Sequence, residues 1–462
     1  MTSRPLDQVL AHVDQSLDQS LERLFALLRI ASISTDSAYA SDCAAAADWL
    51  VEDLRSMGFD AAARATGGHP AVVAKSAGGT GPHALFYGHY DVQPVDPLEL
   101  WETPPFEPRI ATGPDGTKRI VARGACDDKG QVMTFVEACR AWKAVTGRLP
   151  IGITMLIEGE EESGSKHLFD FVRANRAELA ADVALVCDTG MWDRDTPAIT
   201  TSLRGLVSEE FKVMAANRDL HSGVYGGAAA NPIHVLSRIV ASLHGPDGRI
   251  AIPGFYEGVD ELPADILADW KGLNLTVEDF LGPIGLKTPI GEKGRLLIEM
   301  ISSRPTCDVN GMWGGYTGEG GKTVIPAEAQ AKITFRLVGR QDPGKVRDAF
   351  RAHVRAQLPD DCRVEFYGSR GSAAIALPWD MPVLARARAA LTDEWGRKAV
   401  TIGSGGSIPI VGAFKDDLGL DSLLVGFGLE DDRVHSPNEK YDLKSFHKGI
   451  RSWVRILDAL AA

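Results

Sequence analysis

The sequence predicts an α/β protein: a mostly parallel sheet flanked by helices, built from two separate stretches of chain, with an α+β domain inserted between them. Three observations lead there. Apolar strand-like runs alternate with helical spacings through the first two hundred residues, the character changes near Arg204 to strands of alternating pattern, and after about Ala376 the chain returns to helix, buried strand and helix. At 462 residues the chain is long for one core. The expected division is residues 1–203 and 377–462 for the two-piece domain and 204–376 for the insertion.

Taken in order, residues 1–30 read as one amphipathic helix interrupted by Asp7, Asp14, Asp18 and Glu22, without the basic start and apolar run of an export signal. Strands are expected at 71–75, 84–88, 153–158 and 182–187, with helices at 129–145 and 166–175. In the insertion, 207–213 and 332–338 alternate apolar with polar and surround a helix at 231–243. Residues 245–304, rich in Gly, Pro and acids, form a long excursion. A helix at 381–395, a buried strand at 423–428 and an amphipathic helix at 443–460 complete the chain.

Composition narrows the function classes. The formal charge of −13 disfavours nucleic acid and anionic membrane surfaces as partners, since each needs a concentrated basic face. No run of about 18 uncharged apolar residues is present, so no spanning helix is expected. Six scattered cysteines with no CxxC pair suit reduced thiols in a cytoplasm, and they argue against a disulfide framework or an all-cysteine zinc site.

The chemistry sits in four segments, each just after an expected strand or in a glycine-rich turn: Gly88-His89-Tyr90-Asp91, RGACDDKG at 123–130, EGEEESGS at 158–165 and Cys187-Asp188. In an open α/β sheet the ligand crevice lies outside the carboxyl ends of the strands, so these groups should converge. That many carboxylates in one place need a cation. His89 and Asp91, two apart on extended chain, share a side, so the carboxylate can accept from the far ring nitrogen and fix the metal-binding tautomer. Glu161 and Glu162 would repel in a dry cleft unless one binds metal and the other takes up a proton during turnover.

Together with DLHSGVYGG at 219–227, KTVIPAEA at 322–329, FRLV at 335–338, GGSIP at 405–409 and VHSPNEK at 434–440, these segments resemble the M20 metallopeptidases, in particular the carnosinase-like, cytosolic nonspecific dipeptidase branch. The resemblance runs in family order from residue 88 to residue 440. It implies a zinc-peptidase-like catalytic domain and an inserted lid and dimerisation domain. It implies two divalent metal ions per subunit, with His89 and Asp188 on one, Glu162 and His435 on the other, and Asp127 bridging. Glu161 is then the general base, with the acid run aligned by its EESGS end, and the Asp127–Asp128 peptide is expected to be cis. His221 resembles the histidine that family dimers send into the partner's active site to stabilise the oxyanion, so a homodimer through the inserted domain is implied. Arg336, Thr323 and Ser407 match positions that grip the substrate, Arg336 suiting a bidentate hold on a C-terminal carboxylate.

Other motifs fall away. The run ending Gly321-Lys322-Thr323 has Tyr316 where a phosphate loop needs glycine, and no GxSxG elbow or HExxH helix occurs. The remaining histidines, His167 among them, stand apart from paired acids in sequence. The expected function is hydrolysis of the amide bond of dipeptides or similar small peptides, with an N-acyl-amino-acid deacylase as the alternative on the same bimetallic site. The ion is zinc or manganese, with cobalt possible, because mixed carboxylate and imidazole ligands accept several.

Overall fold

The computed structural model describes residues 5–79, 81–368, 371–405 and 408–461. The chain forms two compact units: Met1–Thr201 with Leu377–Ile402 and Ile410–Ala462, and Ser202–Ala376 with Gly403–Pro409.

In the first unit the strands Asp60–Arg64, Ala71–Ser76, Gly152–Glu158, His83–His89, Val183–Val186, Ser422–Leu424 and Ala198–Leu203 lie side by side in that order. The three pairings among the four central members are parallel, and the outer pairings are antiparallel. All seven residues of Gly152–Glu158 are buried, as befits a strand covered on both faces. The register sets His89 opposite Glu158 and Tyr87 opposite Val186, so the carboxyl ends of three parallel strands finish level with one another. Beneath them Phe86 stacks on Phe135 at 3.8 Å, and Trp453 meets both edge-on, joining the sheet to the helices Lys129–Thr146 and Leu443–Ala461.

The second unit holds an antiparallel sheet in the order Thr306–Gly314, Glu328–Leu337, Gly205–Met214, Arg363–Phe366. Burial alternates strictly along Gly205–Met214, the mark of one face on a core and one turned outward. Phe211, Phe335 and Phe350 fill that core under helices Pro232–Ala241 and Pro343–Ala356. Both helices start with a side-chain cap followed by proline, Asn231 before Pro232 and Asp342 before Pro343.

Several local expectations change. The first thirty residues make two helices, Pro5–Gln15 and Leu17–Leu28, broken at Ser16, whose hydroxyl turns back to the His12 carbonyl at 2.8 Å. The strand expected at 423–428 stops at Leu424. The excursion at 245–304 contains the short helices Ala264–Gly272, Val277–Leu281 and Leu297–Ser302. Sequence reading assigns nothing to the helix Ala40–Ser56 or to the edge strand Thr306–Gly314, both of which are present. No helix among the described residues is long and apolar enough to cross a membrane.

Candidate metal centre

His89 closes its strand and is fully buried. Its Nδ1 lies 3.1 Å from the Asp91 carbonyl oxygen and 3.4 Å from Asp91 Oδ1, which places the ring proton on Nδ1. Nε2 then carries a lone pair; among the described residues it makes no hydrogen bond, although Asp127 Oδ1 stands 3.1 Å from it. A buried, unsatisfied imidazole nitrogen is costly unless a cation occupies its free side. The expected role of the Asp91 carboxylate is thus shared with its own carbonyl. The carboxylate also accepts from the amides of Glu161 at 3.2 Å and Glu162 at 3.0 Å, and so holds the acid run in place.

Asp127 stands at the middle. Its Oδ1 is 3.1 Å from His89 Nε2 and its Oδ2 is 3.0 Å from His435 Nε2, which is itself 3.3 Å from Glu162 Oε2. His89, Asp127 and Asp188 form one group able to hold a metal ion, and Asp127, Glu162 and His435 form a second, the ligand atoms of each lying within 4.8 Å of one another. The five expected ligands therefore meet around one shared carboxylate. The Asp127–Asp128 peptide is cis, as expected. Gly88 permits the close approach here, since a Cβ there would lie 2.8 Å from Asp128 Oδ2 and 3.0 Å from Cys187 Sγ.

The electrostatics agree with a cation site. Burial, with Asp127 adding to it, pushes Asp188 up to about 7. Hydrogen bonds to Asp127 and then Glu162 raise His435 to about 10. For Asp127 burial acts upward, but the two imidazoles outweigh it and hold the carboxyl below the usual range. Protons thus collect on groups around Asp127 when nothing else neutralises them, and the same field attracts divalent ions.

The three consecutive acids are sorted by their partners. Glu160 is buried and turned to His167 Nδ1, 3.0 Å from both of its oxygens, so His167 does meet an acid despite its isolation in sequence. Glu162 faces His435 and accepts from Gln93 Nε2 at 2.7 Å. The Glu161 carboxylate makes no hydrogen bond among the described residues, and burial raises its pKa against the pull of His89.

The second unit carries the other expected residues. His221 lies on a two-stranded ribbon, Leu220–His221 against Val324–Ile325, Thr323 stands just before the second strand, and both are exposed. The Gly223 amide donates to His221 Nδ1 at 2.9 Å, so the proton resides on Nε2, which remains free to donate. Arg336 is half-buried in the strand Glu328–Leu337. Arg204 lies nearby with its Nε buried and unpartnered, and burial followed by the Arg336 charge lowers its pKa to about 10. Ser407 lies outside the described residues.

The family model described as peptidase family M20/M25/M40 matches residues 85–459. The chain belongs to this family. Among M20 relatives, a Cys-Gly metallodipeptidase, dug1, of Schizosaccharomyces pombe is 31% identical over 476 residues, covering 99% of this chain and 98% of that protein. The human Beta-Ala-His dipeptidase is 29% identical, covering 79% of this chain and 72% of its own length. The solved structure of the dipeptidase Dug1p from Saccharomyces cerevisiae superposes with a TM-score of 0.75 at 27% identity, covering 99% of this chain and 98% of that one. The M20 chain stands with the carnosinase-like dipeptidases and is an M20-type metallopeptidase.

Two residues of this M20 centre are missed by sequence reasoning. Gln93, two residues past Asp91, holds Glu162, and Glu439, of VHSPNEK, is fully buried against the Asp127 turn. Their only sequence signal is their proximity to ligands.

Proposed function

We propose that this M20 dipeptidase hydrolyses its substrate at a centre of two divalent ions, one on His89 and Asp188, the other on Glu162 and His435, with Asp127 shared. The observation that carries the reading is the pair of ligand groups joined through one carboxylate, with a buried imidazole nitrogen aimed into the first, 3.1 Å from that carboxylate, and making no hydrogen bond among the described residues. Ions bound there supply Lewis acidity, polarising an amide carbonyl and acidifying water near neutral pH.

The chain's own residues do the rest. Glu161, the one acid of its run left without a partner, takes a proton from water on its carboxylate and delivers it to the departing amine. Arg336, beside a second guanidinium with an idle Nε, holds the substrate's C-terminal carboxylate, while Thr323 and Ser407 add polar contacts. His221 donates from Nε2 to the developing oxyanion of the neighbouring subunit. A homodimer through the second unit is supported by its edge strand Thr306–Gly314, which leaves Val309, Met312 and Trp313 exposed. Zinc, manganese and cobalt all suit these ligands. The six unpaired cysteines support a cytoplasmic setting, and the acidic surface charge supports a small peptide over nucleic acid or membrane as partner.

The substrates named for the relatives point to dipeptides with a free carboxylate. The test is a panel of dipeptides and N-acyl amino acids, assayed with each metal after chelation. Faster cleavage of N-acyl amino acids than of every dipeptide, whatever the metal, would replace this reading with deacylation.

A further inference from the structure

Glu439 has no part in the chemistry above, yet it is among the best-satisfied carboxylates in the molecule. It is fully buried, 312 residues along the chain from the turn it serves. Its Oε1 accepts from the amides of Cys126 at 2.9 Å and Asp127 at 3.0 Å. Its Oε2 accepts from the Gly124 amide at 2.9 Å and from Arg123 Nη1 at 2.8 Å. The backbone joins in, with the Ala122 amide donating to the Glu439 carbonyl at 3.2 Å. Gly124, at φ +79°, supplies the bend that turns these amides toward one point.

The segment just before Glu439 carries His435, and it is held in a form that side chains resist. Arg433, His435 and Asn438 all sit in the left-handed region, at φ 56°, 62° and 62°. Non-glycine residues persist there only where the surroundings force them. Asn438 is pinned at both ends of its amide, accepting from the Glu102 amide and donating to the Leu100 carbonyl, each at 2.8 Å. Lys440 is tied to Asp431 at 2.7 Å and Asp442 at 3.0 Å. Between these anchors Glu439 is the link from the His435 segment to the Asp127 turn.

We propose that Glu439 is a positioning residue of the metal centre, whose carboxylate fixes the Asp127 turn relative to His435 so that both reach one ion. The inference rests on the two-ion reading above. A glutamine is nearly the same shape but offers one acceptor oxygen, and its NH2 would face amide donors that then have no acceptor. An aspartate keeps the charge but is too short to reach both pairs of donors.

The test uses the full chain, stripped by chelation and titrated calorimetrically with Mn2+. The wild type is expected to take up two ions per subunit. Glu439→Gln is expected to fold with a cooperative melt and to bind at least one ion about 10–100-fold more weakly, the usual effect of losing an outer-shell partner. Excess Mn2+ should then restore kcat with KM for a dipeptide unchanged, which a general loss of fold would not produce. Glu439→Asp should fall between the two. A folded Glu439→Gln that binds two ions with wild-type affinity overturns the inference. If Glu439→Gln does not fold, Glu439→Asp decides: wild-type affinity overturns it, weakened affinity rescued by Mn2+ supports it, and failure of both to fold assigns the carboxylate to the fold alone and overturns it too. A wild-type chain binding fewer than two ions sinks the two-ion reading itself, a result distinct from any of these.

Discussion

The carboxylates at the sheet ends of the first unit and the polar residues of the second are held in opposite ways. In the first, three acids are fixed by donors from the protein itself: Asp91 by two backbone amides, Glu439 by three amides and a guanidinium, Glu162 by Gln93. In the second, His221 stands exposed on a short ribbon with Thr323 exposed beside it, and Arg204 keeps a buried nitrogen with no hydrogen bond among the described residues. On the function proposed above, the contrast separates two tasks. Ion binding needs atoms fixed to a fraction of an ångström, so those residues grow from a buried sheet. Recognition needs groups whose partners arrive from outside, so they are left unsatisfied.

The sharpest way to break this division is at Glu161. Glu161→Gln is expected to keep both ions and the fold while lowering kcat by about two to four orders of magnitude, measured beside ion stoichiometry. Glu160→Gln should do far less, because Glu160 is spent on His167. Full activity in the first variant with none in the second would reverse the assignment.

Next in size is His221→Ala, expected to bind ions normally and lose about two to three orders of magnitude in kcat. Mixing it with Glu161→Gln tests the dimer directly. In a hybrid one cleft lacks both groups and the other lacks neither, so activity should return. No recovery, with subunit exchange verified, would confine His221 to its own chain or to no role at all.

Arg336→Met should act mainly on KM, raising it by about 10–100-fold for a dipeptide, the loss of one charged hydrogen-bonding contact. The same change should leave a dipeptide amide, which lacks the carboxylate, nearly unaffected. An equal loss for both substrates would remove Arg336 from carboxylate recognition. The smallest effect is expected at Trp313→Glu on the edge strand, which should weaken self-association in sedimentation by about 1–3 kcal/mol without altering ion binding, in the range for an interface aromatic. Unchanged association would move the subunit contact elsewhere.

Much of this was legible in the residues alone, and the limits of legibility have a pattern. The parallel strands at 84–88 and 153–158 announced themselves because a strand covered on both faces must be continuously apolar. The edge strand Thr306–Gly314 did not, since most of its side chains face away from the core and follow no burial period. The single helix expected at the start divided at Ser16, whose hydroxyl reaches the His12 carbonyl one turn back, a detail that apolar spacing does not record.

At the candidate metal centre the sequence by itself determined the residue types, their order along the chain and the place of His89, Glu162 and Asp188 at or just after strands, because these follow from local composition. Tertiary structure alone decided that Glu160 turns to His167 and leaves Glu161 free, that His89 leans on a carbonyl as well as a carboxylate, and that Glu439 returns to the Asp127 turn. The physical reason is plainest at Glu439, which lies 312 residues from the amide it meets. A hydrogen bond to a backbone group depends on where two distant segments meet, and a backbone amide is the same in every non-proline residue, so the sequence leaves no mark of which side chain will find it.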